Sequence, residues 1–238
     1  MIRILKRYSF WSLITILVFS AIGCRMFNTQ SKVRPEPVRV MKPSSQLLAF
    51  FPQTLRTKWI YDGFVEYDHT MEIKSIVRSR NRDRIYHNII GKVGDPSGGE
   101  SKRNFNFKIQ YLFIGKSVYE YIVKSDTPFP HRILKLKLLS LPLKKGYQWS
   151  QTVAVDSKKV TLNAKIIAIE QKNIFNKPTE TVTVRYRMPM KGMPGGTYEE
   201  VRVFALGIGV YSFEKTFGPN QTDRFGYTLR DIVKPPKN

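Results

Sequence analysis

Three methionines in the stretch RMPMKGMPGG are the side chains most suited to unusual chemistry in this sequence. Met188, Met190 and Met193 place three thioethers within six residues. Thioethers are soft ligands that suit Cu(I), but methionine is also an adaptable apolar contact. Because prolines and glycines surround the methionines, we interpret the segment as a hairpin tip that forms a ligand or contact loop. We assign it no metal.

The three histidines give little support for a metal centre. His69, His87 and His131 lie on or beside different predicted strands, and no His-x-His or His-x-x-x-His spacing occurs. A zinc site would therefore need ligands from several strands. We predict neither a metal nor any other cofactor.

Motifs of catalysis are equally weak. Asp62, Glu66 and Asp68 share one face of an extended segment, where a solvated strand face explains them better than a catalytic carboxylate pair. No Gly-x-Ser-x-Gly nucleophile turn occurs. The stretch GDPSGGES lacks the Gly-Lys-(Ser/Thr) ending of a phosphate loop. The sequence therefore favours a protein that is not an enzyme, and an enzyme of unrecognised type is kept only as a third hypothesis.

The single cysteine, Cys24, follows an apolar run near the start of the chain. Arg3, Lys6 and Arg7 precede that run, which spans Tyr8 to Ile22. Its length of roughly 15 residues is short of the ~20 that a helix needs to cross a bilayer. A positive start, an apolar core and a small-residue boundary are typical of a secretory signal peptide.

The stretch Ala21-Ile22-Gly23-Cys24 resembles the bacterial lipobox. Gly23 and Cys24 match the motif, and the two residues before them are tolerated variants. The resemblance implies cleavage between Gly23 and Cys24 and fatty acyl chains, such as palmitate, on Cys24. Two or more acyl chains anchor a protein stably, at ~0.8 kcal/mol per buried methylene. An uncleaved anchor, or a signal peptide cut elsewhere, is the alternative.

Location follows from the same residues. A lipidated Cys24 would place the chain in the cell envelope, and Arg25 and Met26 after it favour the outer membrane where the host has one. Residues 1–23 hold three of the 40 basic residues and none of the 18 acidic ones, which leaves a net charge of about +19. This charge favours anionic lipid or an anionic envelope polymer as partner. A lysine-rich composition with no partner is the alternative, and no nucleic-acid-binding motif occurs.

The rest of the chain divides into a tether and one folded part. We predict a signal peptide at 1–23, a lipidated flexible tether at 24–46 and a single β-rich domain at 47–238. A short helix is expected at 44–50. Ten to twelve short segments of alternating apolar and polar residues predict an all-β fold, either a curved antiparallel sheet or a partly open β-barrel. In residues 132–138 the lysines should face water and the leucines the core.

Three further stretches resemble a group of uncharacterised bacterial envelope lipoproteins. They are FFPQTLRTKWIYDG, LSLPLKKGYQW and VFALGIGVYSFEK. The resemblance implies a β-rich secreted domain and carries over no catalytic residue. Independently of it, Trp59, Tyr61 and Trp149 should anchor the core. Gly207 and Gly209 should adopt positive φ in a bulge or tight turn.

Two hypotheses about function follow. The first is a lipid-anchored envelope protein with a non-catalytic binding role, whose ligand is an acyl chain in the concave face or an anionic envelope ligand on the basic face. The second is a structural or interaction lipoprotein that scaffolds a protein partner without a small-molecule ligand. The sequence does not decide whether the concave face is filled or hollow.

Overall fold

A single antiparallel sheet makes up nearly all of the folded part. The computed structural model describes residues 41–63, 68–94, 105–126, 133–155, 158–190, 196–217 and 223–236. Its elements are α1 Ser45–Phe50, β1 Lys58–Gly63, β2 Asp68–Arg78, β3 Arg84–Gly94, β4 Phe105–Ile114, β5 Ser117–Ser125, β6 Lys135–Ser140, β7 Gln148–Val155, β8 Lys158–Ile174, β9 Lys177–Pro189, β10 Thr197–Ala205, β11 Gly209–Phe217 and β12 Asp223–Val233.

Strands β1 to β6 form one meander and strands β7 to β12 form a second. The pairing of β1 with β12 joins the two. The order is β6-β5-β4-β3-β2-β1-β12-β11-β10-β9-β8-β7, and the sheet nearly closes into a barrel. The prediction of an all-β, curved and partly closed sheet is confirmed. Every backbone ladder is antiparallel, because neighbouring strands are joined by short connections except where β1 meets β12.

The two edge strands, β6 and β7, meet through side chains. Trp149 Nε1 donates to the carbonyl oxygen of Lys137 at 3.3 Å, and the Lys137 amide donates to Gln151 Oε1 at 2.8 Å. Two side chains of β7 thus form hydrogen bonds with the backbone N–H and C=O of Lys137, in place of a backbone ladder between the two strands. We call this contact the seam.

Helix α1 closes one end of the sheet. Leu47, Phe50 and Phe51 are at most 2% exposed. The ring of Phe51 lies 5.2 Å from that of Phe113 on β4 and 6.1 Å from that of Phe204 on β10, so it bridges opposite walls. The helix spans Ser45–Phe50, one residue shorter at its start than the short helix predicted at 44–50.

The predicted anchors of the core lie where the sequence places them. Trp59, Tyr61 and Trp149 are 2%, 0% and 8% exposed. Gly207 and Gly209 adopt φ of 74° and 92° in the turn between β10 and β11. A side chain at position 209 would also be crowded, because an atom of the Phe51 ring lies 3.3 Å from the place that a Cβ atom would occupy.

One detail of the predicted alternation is wrong. The strand expected over 132–138 begins only at Lys135, and Leu134 is 62% exposed. Leu136 and Leu138 face the core as expected. Leu134 lies before the first register pair of β6 with β5, and at this strand end its side chain reaches solvent although its carbonyl accepts from the Ile122 amide.

Candidate functional site: an ion cluster inside the sheet and a basic face outside

The methionine segment starts inside the core. Met188 at the end of β9 is 1% exposed, and Met190 is 6% exposed. Their thioethers pack among the other apolar side chains of the core. Met193 lies outside the described residues, as do Gly23 and Cys24, so the loop as a ligand site and the lipidation site stay predictions.

The described histidines are brought into the core on separate strands. His69 on β2 stacks on Tyr61 at 4.5 Å and meets the edge of Tyr227 at 4.1 Å. Burial lowers the pKa of His69 to about 3. Burial, with the charge of Arg78, lowers the pKa of His87 to about 4. Both rings are therefore neutral packing groups near pH 7.

Asp62 and Asp68 form part of a surface ion pair. Arg230 Nη1 lies 2.9 Å from Asp62 Oδ1 and 3.5 Å from Asp68 Oδ2; the side chain of Asp62 is exposed and that of Asp68 is partly exposed. The pair belongs to the solvated strand face that the sequence indicates. Glu66 and His131 lie outside the described residues.

Charged side chains that were not foreseen meet inside the sheet. Arg202 on β10 donates from Nη1 and Nη2 to both oxygens of Glu120 on β5, each at 3.0 Å. Six strands separate β5 from β10 in the sheet order, so this bidentate pair spans the interior. We call Glu120, Glu200, Arg202 and Tyr198 the ion cluster.

The ion cluster is closed on itself. Arg202 Nε donates to Glu200 Oε1, and the Tyr198 hydroxyl donates to Glu200 Oε2. The guanidinium also lies 5.2 Å from the ring centroid of Phe213. Glu120, Glu200 and Arg202 are 9%, 2% and 6% exposed. The charged groups therefore bind one another and tie two walls of the sheet together.

The electrostatics of this interior favour fixed protonation states. Burial alone would lower the pKa of Arg202, but Glu120 and Glu200 outweigh it and the guanidinium stays charged. Burial raises the pKa of Tyr198, and the carboxylate of Glu200 raises it further. Burial likewise raises the pKa of Tyr61, whose hydroxyl donates to the Val210 carbonyl at 2.9 Å. None of these groups is poised to exchange a proton near neutral pH.

The alternation of residue types in β10 did not indicate the ion cluster. In TYEEVRVFA the valines suggest one core face, yet Glu200, Arg202 and Phe204 lie on the face that lines the interior. The signal available in the sequence was weak. Tyr198 and Phe204 put the two largest apolar groups on the same face as the charges.

Outside the sheet, charge is unevenly distributed. Strands β3 to β6 contain six basic residues and one acidic residue, Glu120, which points inward. The basic residues of these strands all lie on the outward face. They are Arg84, Lys92, Lys108, Lys124, Lys135 and Lys137. The other eight strands contain 14 basic and ten acidic residues. We call the outward surface of β3 to β6 the basic face.

Grouped metal-ligating side chains and membrane-spanning helices are both lacking among the described residues. Among them, no three side chains of His, Cys, Asp or Glu are grouped so as to hold a metal ion. No helix in the described ranges is both long and apolar enough to cross a bilayer.

Comparison with known proteins supports the fold. No protein-family model matches this chain, and no curated protein matches it. A solved structure of a predicted lipoprotein from Parabacteroides distasonis ATCC 8503 aligns with a TM-score of 0.50 and 12% identity, over 77% of this chain and 98% of that one. A predicted exported protein with a YmcC-like fold from Bacteroides fragilis NCTC 9343 aligns with a TM-score of 0.51 and 10% identity, over 78% and 99%. At these identities the likeness shows a shared fold.

Proposed function

We propose that this protein is a lipid-anchored protein of the bacterial cell envelope whose β domain has a non-catalytic role in binding an anionic envelope ligand. The observation that carries the proposal is the lone Cys24, placed directly after an apolar run and a small residue. The two solved structures with this fold come from proteins predicted to be a lipoprotein and an exported protein, which supports the same location.

The arrangement of charge supports the non-catalytic role. In the described interior, the carboxylates and the guanidinium of the ion cluster are bound to one another, and the buried tyrosines and histidines are held away from pKa values near 7. The excess of bases lies instead on the outside. An anionic ligand on that surface fits this arrangement better than an acyl chain in an interior that contains the desolvated ion cluster.

Labelling with a radioactive or alkyne-bearing palmitate tests the anchor. The full chain expressed in a bacterial host should incorporate the label, fractionate with membranes and lose both properties on Cys24→Ser. A Gly23→Asp variant should retain its signal sequence, because the motif requires a small residue before the cysteine. Membrane association of an unlabelled Cys24→Ser chain with a retained N-terminus would identify an uncleaved anchor and overturn the proposal.

A second candidate, a scaffold for a protein partner, rests on the seam. Edge strands expose backbone groups that can pair with another chain, and β6 meets β7 through side chains rather than a ladder. Crosslinking of the membrane-bound protein in cells distinguishes the two. A single protein crosslinked at the seam, in stoichiometric amount, would favour the scaffold.

A further inference from the structure

The basic face carries like charges that its own fold does not neutralise. Lys108 and Lys124 lie directly opposite each other on neighbouring strands, an arrangement that destabilises a sheet. Lys135 and Lys137 project from the same side of β6 two residues apart. Among the described residues, only Asp126 pairs with one of these four lysines, at 3.5 Å from Lys124.

Aromatic rings line the same surface. The ammonium group of Lys135 lies 5.5 Å from the ring centroid of Tyr119 and 5.3 Å from that of Tyr121. The ammonium group of Lys137 lies 5.7 Å from the ring of Tyr119. The rings contact the lysine ammonium groups on this surface, and tyrosine is a residue that settles at the headgroup level of a bilayer.

Two aliphatic side chains border the basic face. Val123 is 63% exposed and Leu134 is 62% exposed, the largest exposed fractions among the described large hydrophobic residues. The amide of Ile122 donates to the carbonyl of Leu134 at 3.0 Å, so the two side chains lie on adjacent chain segments. Each sits next to a lysine in sequence, Lys124 and Lys135.

We propose that the basic face docks flat on an anionic phospholipid surface, with the lysines among the phosphate groups and Val123 and Leu134 inserted at the acyl boundary. A bilayer interface provides both an anionic layer and an apolar layer, whereas a soluble acidic polymer provides only the first. The inference deepens the proposed function and rests on it, because the anchor on Cys24 would keep a bilayer within reach of this face.

Vesicle co-sedimentation of the mature chain tests the docking without the anchor. The chain would start at residue 24 and carry Cys24→Ser; it keeps the whole described core, which lies between Leu47 and Leu229. Phosphatidylcholine vesicles containing phosphatidylglycerol should bind it, and vesicles of phosphatidylcholine alone should bind it at least tenfold more weakly. Binding should weaken as salt is added.

Matched variants locate the surface. Lys135→Gln with Lys137→Gln should lower the partition coefficient on the anionic vesicles about 25-fold, since each lysine near the surface contributes about fivefold. Lys159→Gln with Lys165→Gln on β8 makes the same change in net charge on another part of the sheet, and should lower binding less than threefold. Val123→Ser with Leu134→Ser should remove the part of the binding that resists salt.

Each result bears on the docking surface alone. Equal losses in the two lysine pairs would overturn it, because binding would then follow net charge. Binding of soluble polyphosphate or polygalacturonate without binding to the anionic vesicles would overturn it in favour of a polymer. Palmitate labelling of Cys24 in cells is independent of both outcomes, so failure of the docking surface leaves the anchor standing.

Discussion

At the scale of single residues, the interior depends on charges that neutralise each other. A buried ion pair is costly to desolvate, and removing one member leaves the other uncompensated. Arg202 is 6% exposed, and three of its N–H groups donate to two carboxylates. Its partners therefore determine whether it can stay buried. The tie between β5 and β10 is therefore a point at which one substitution should affect the whole sheet.

Breaking this tie should be strongly destabilising. We expect Glu120→Leu to lower the free energy of unfolding by about 3–5 kcal/mol, since it leaves the guanidinium of Arg202 without its bidentate partner. Glu120→Leu combined with Arg202→Met and Glu200→Gln, which leaves no uncompensated charge in the ion cluster, should cost less than Glu120→Leu alone. Urea denaturation measures both. Arg187→Gln, which removes an exposed pair with Glu199, is the control and should cost no more than about 1 kcal/mol.

Buried histidine should make stability depend on pH. His87 has its pKa lowered to about 4, against about 6.5 in the unfolded chain. Between these values the unfolded chain binds the proton and the folded one does not, so stability falls as pH decreases from 6.5 toward 4. The loss per pH unit is about 1.4 kcal/mol. His87→Leu should reduce that slope in urea denaturation between pH 7.5 and 5; an unchanged slope would show that His87 is accessible to protons.

At the scale of elements, the strands were more predictable than the direction in which their side chains point. Alternation, glycines and prolines located most of the strands and the turns at Gly207 and Gly209. The inward and outward faces of the strands were harder to predict. Both faces of β10 carry apolar and charged residues, and its orientation depends on Glu120, which is 82 residues away from Arg202. The seam could not be predicted from the sequence either, because hydrogen bonds between side chains and backbone leave no periodic pattern.

The seam should control the local stability of β6. Gln151→Leu removes the acceptor of the Lys137 amide, and Trp149→Phe removes the donor to its carbonyl while keeping an aromatic ring. We expect faster hydrogen exchange in β6 with little change in β2 or β3, because local opening depends on local hydrogen bonds. Gln148→Leu, exposed on the same strand, should leave β6 exchange unchanged. Exchange measured by mass spectrometry resolves these peptides.

At the scale of the whole molecule, the segment before β1 is part of the core. Phe51 contacts rings on β4 and β10, and the Ala49 carbonyl accepts from the Gly207 amide at 2.9 Å. The end of the predicted tether therefore continues directly into a structural closure of the sheet. The sequence foresaw the short helix but not its contacts, since nothing local indicates which turns it meets.

Removing this closure should cost as much as a core substitution. Phe51→Ala should lower the free energy of unfolding by about 3–5 kcal/mol, the usual range for a buried aromatic ring. Leu55→Ala, four residues further on and 49% exposed, should cost less than about 0.5 kcal/mol. Thermal or urea unfolding monitored by tryptophan fluorescence compares them. Similar values for both variants would mean that α1 and Phe51 do not close the barrel in solution.

The pairing of β1 with β12 sets the order in which the molecule can assemble. Strands β1 to β6 contact their sequence neighbours and can pair as soon as they emerge on the side of the membrane where the chain folds, but the open side of β1 waits for the last strand of the chain. Until then β1 is an unpaired edge on a half-built sheet, and contacts so distant in sequence form slowly. The time between the emergence of the two strands is thus the interval in which the chain most needs protection from association with other chains.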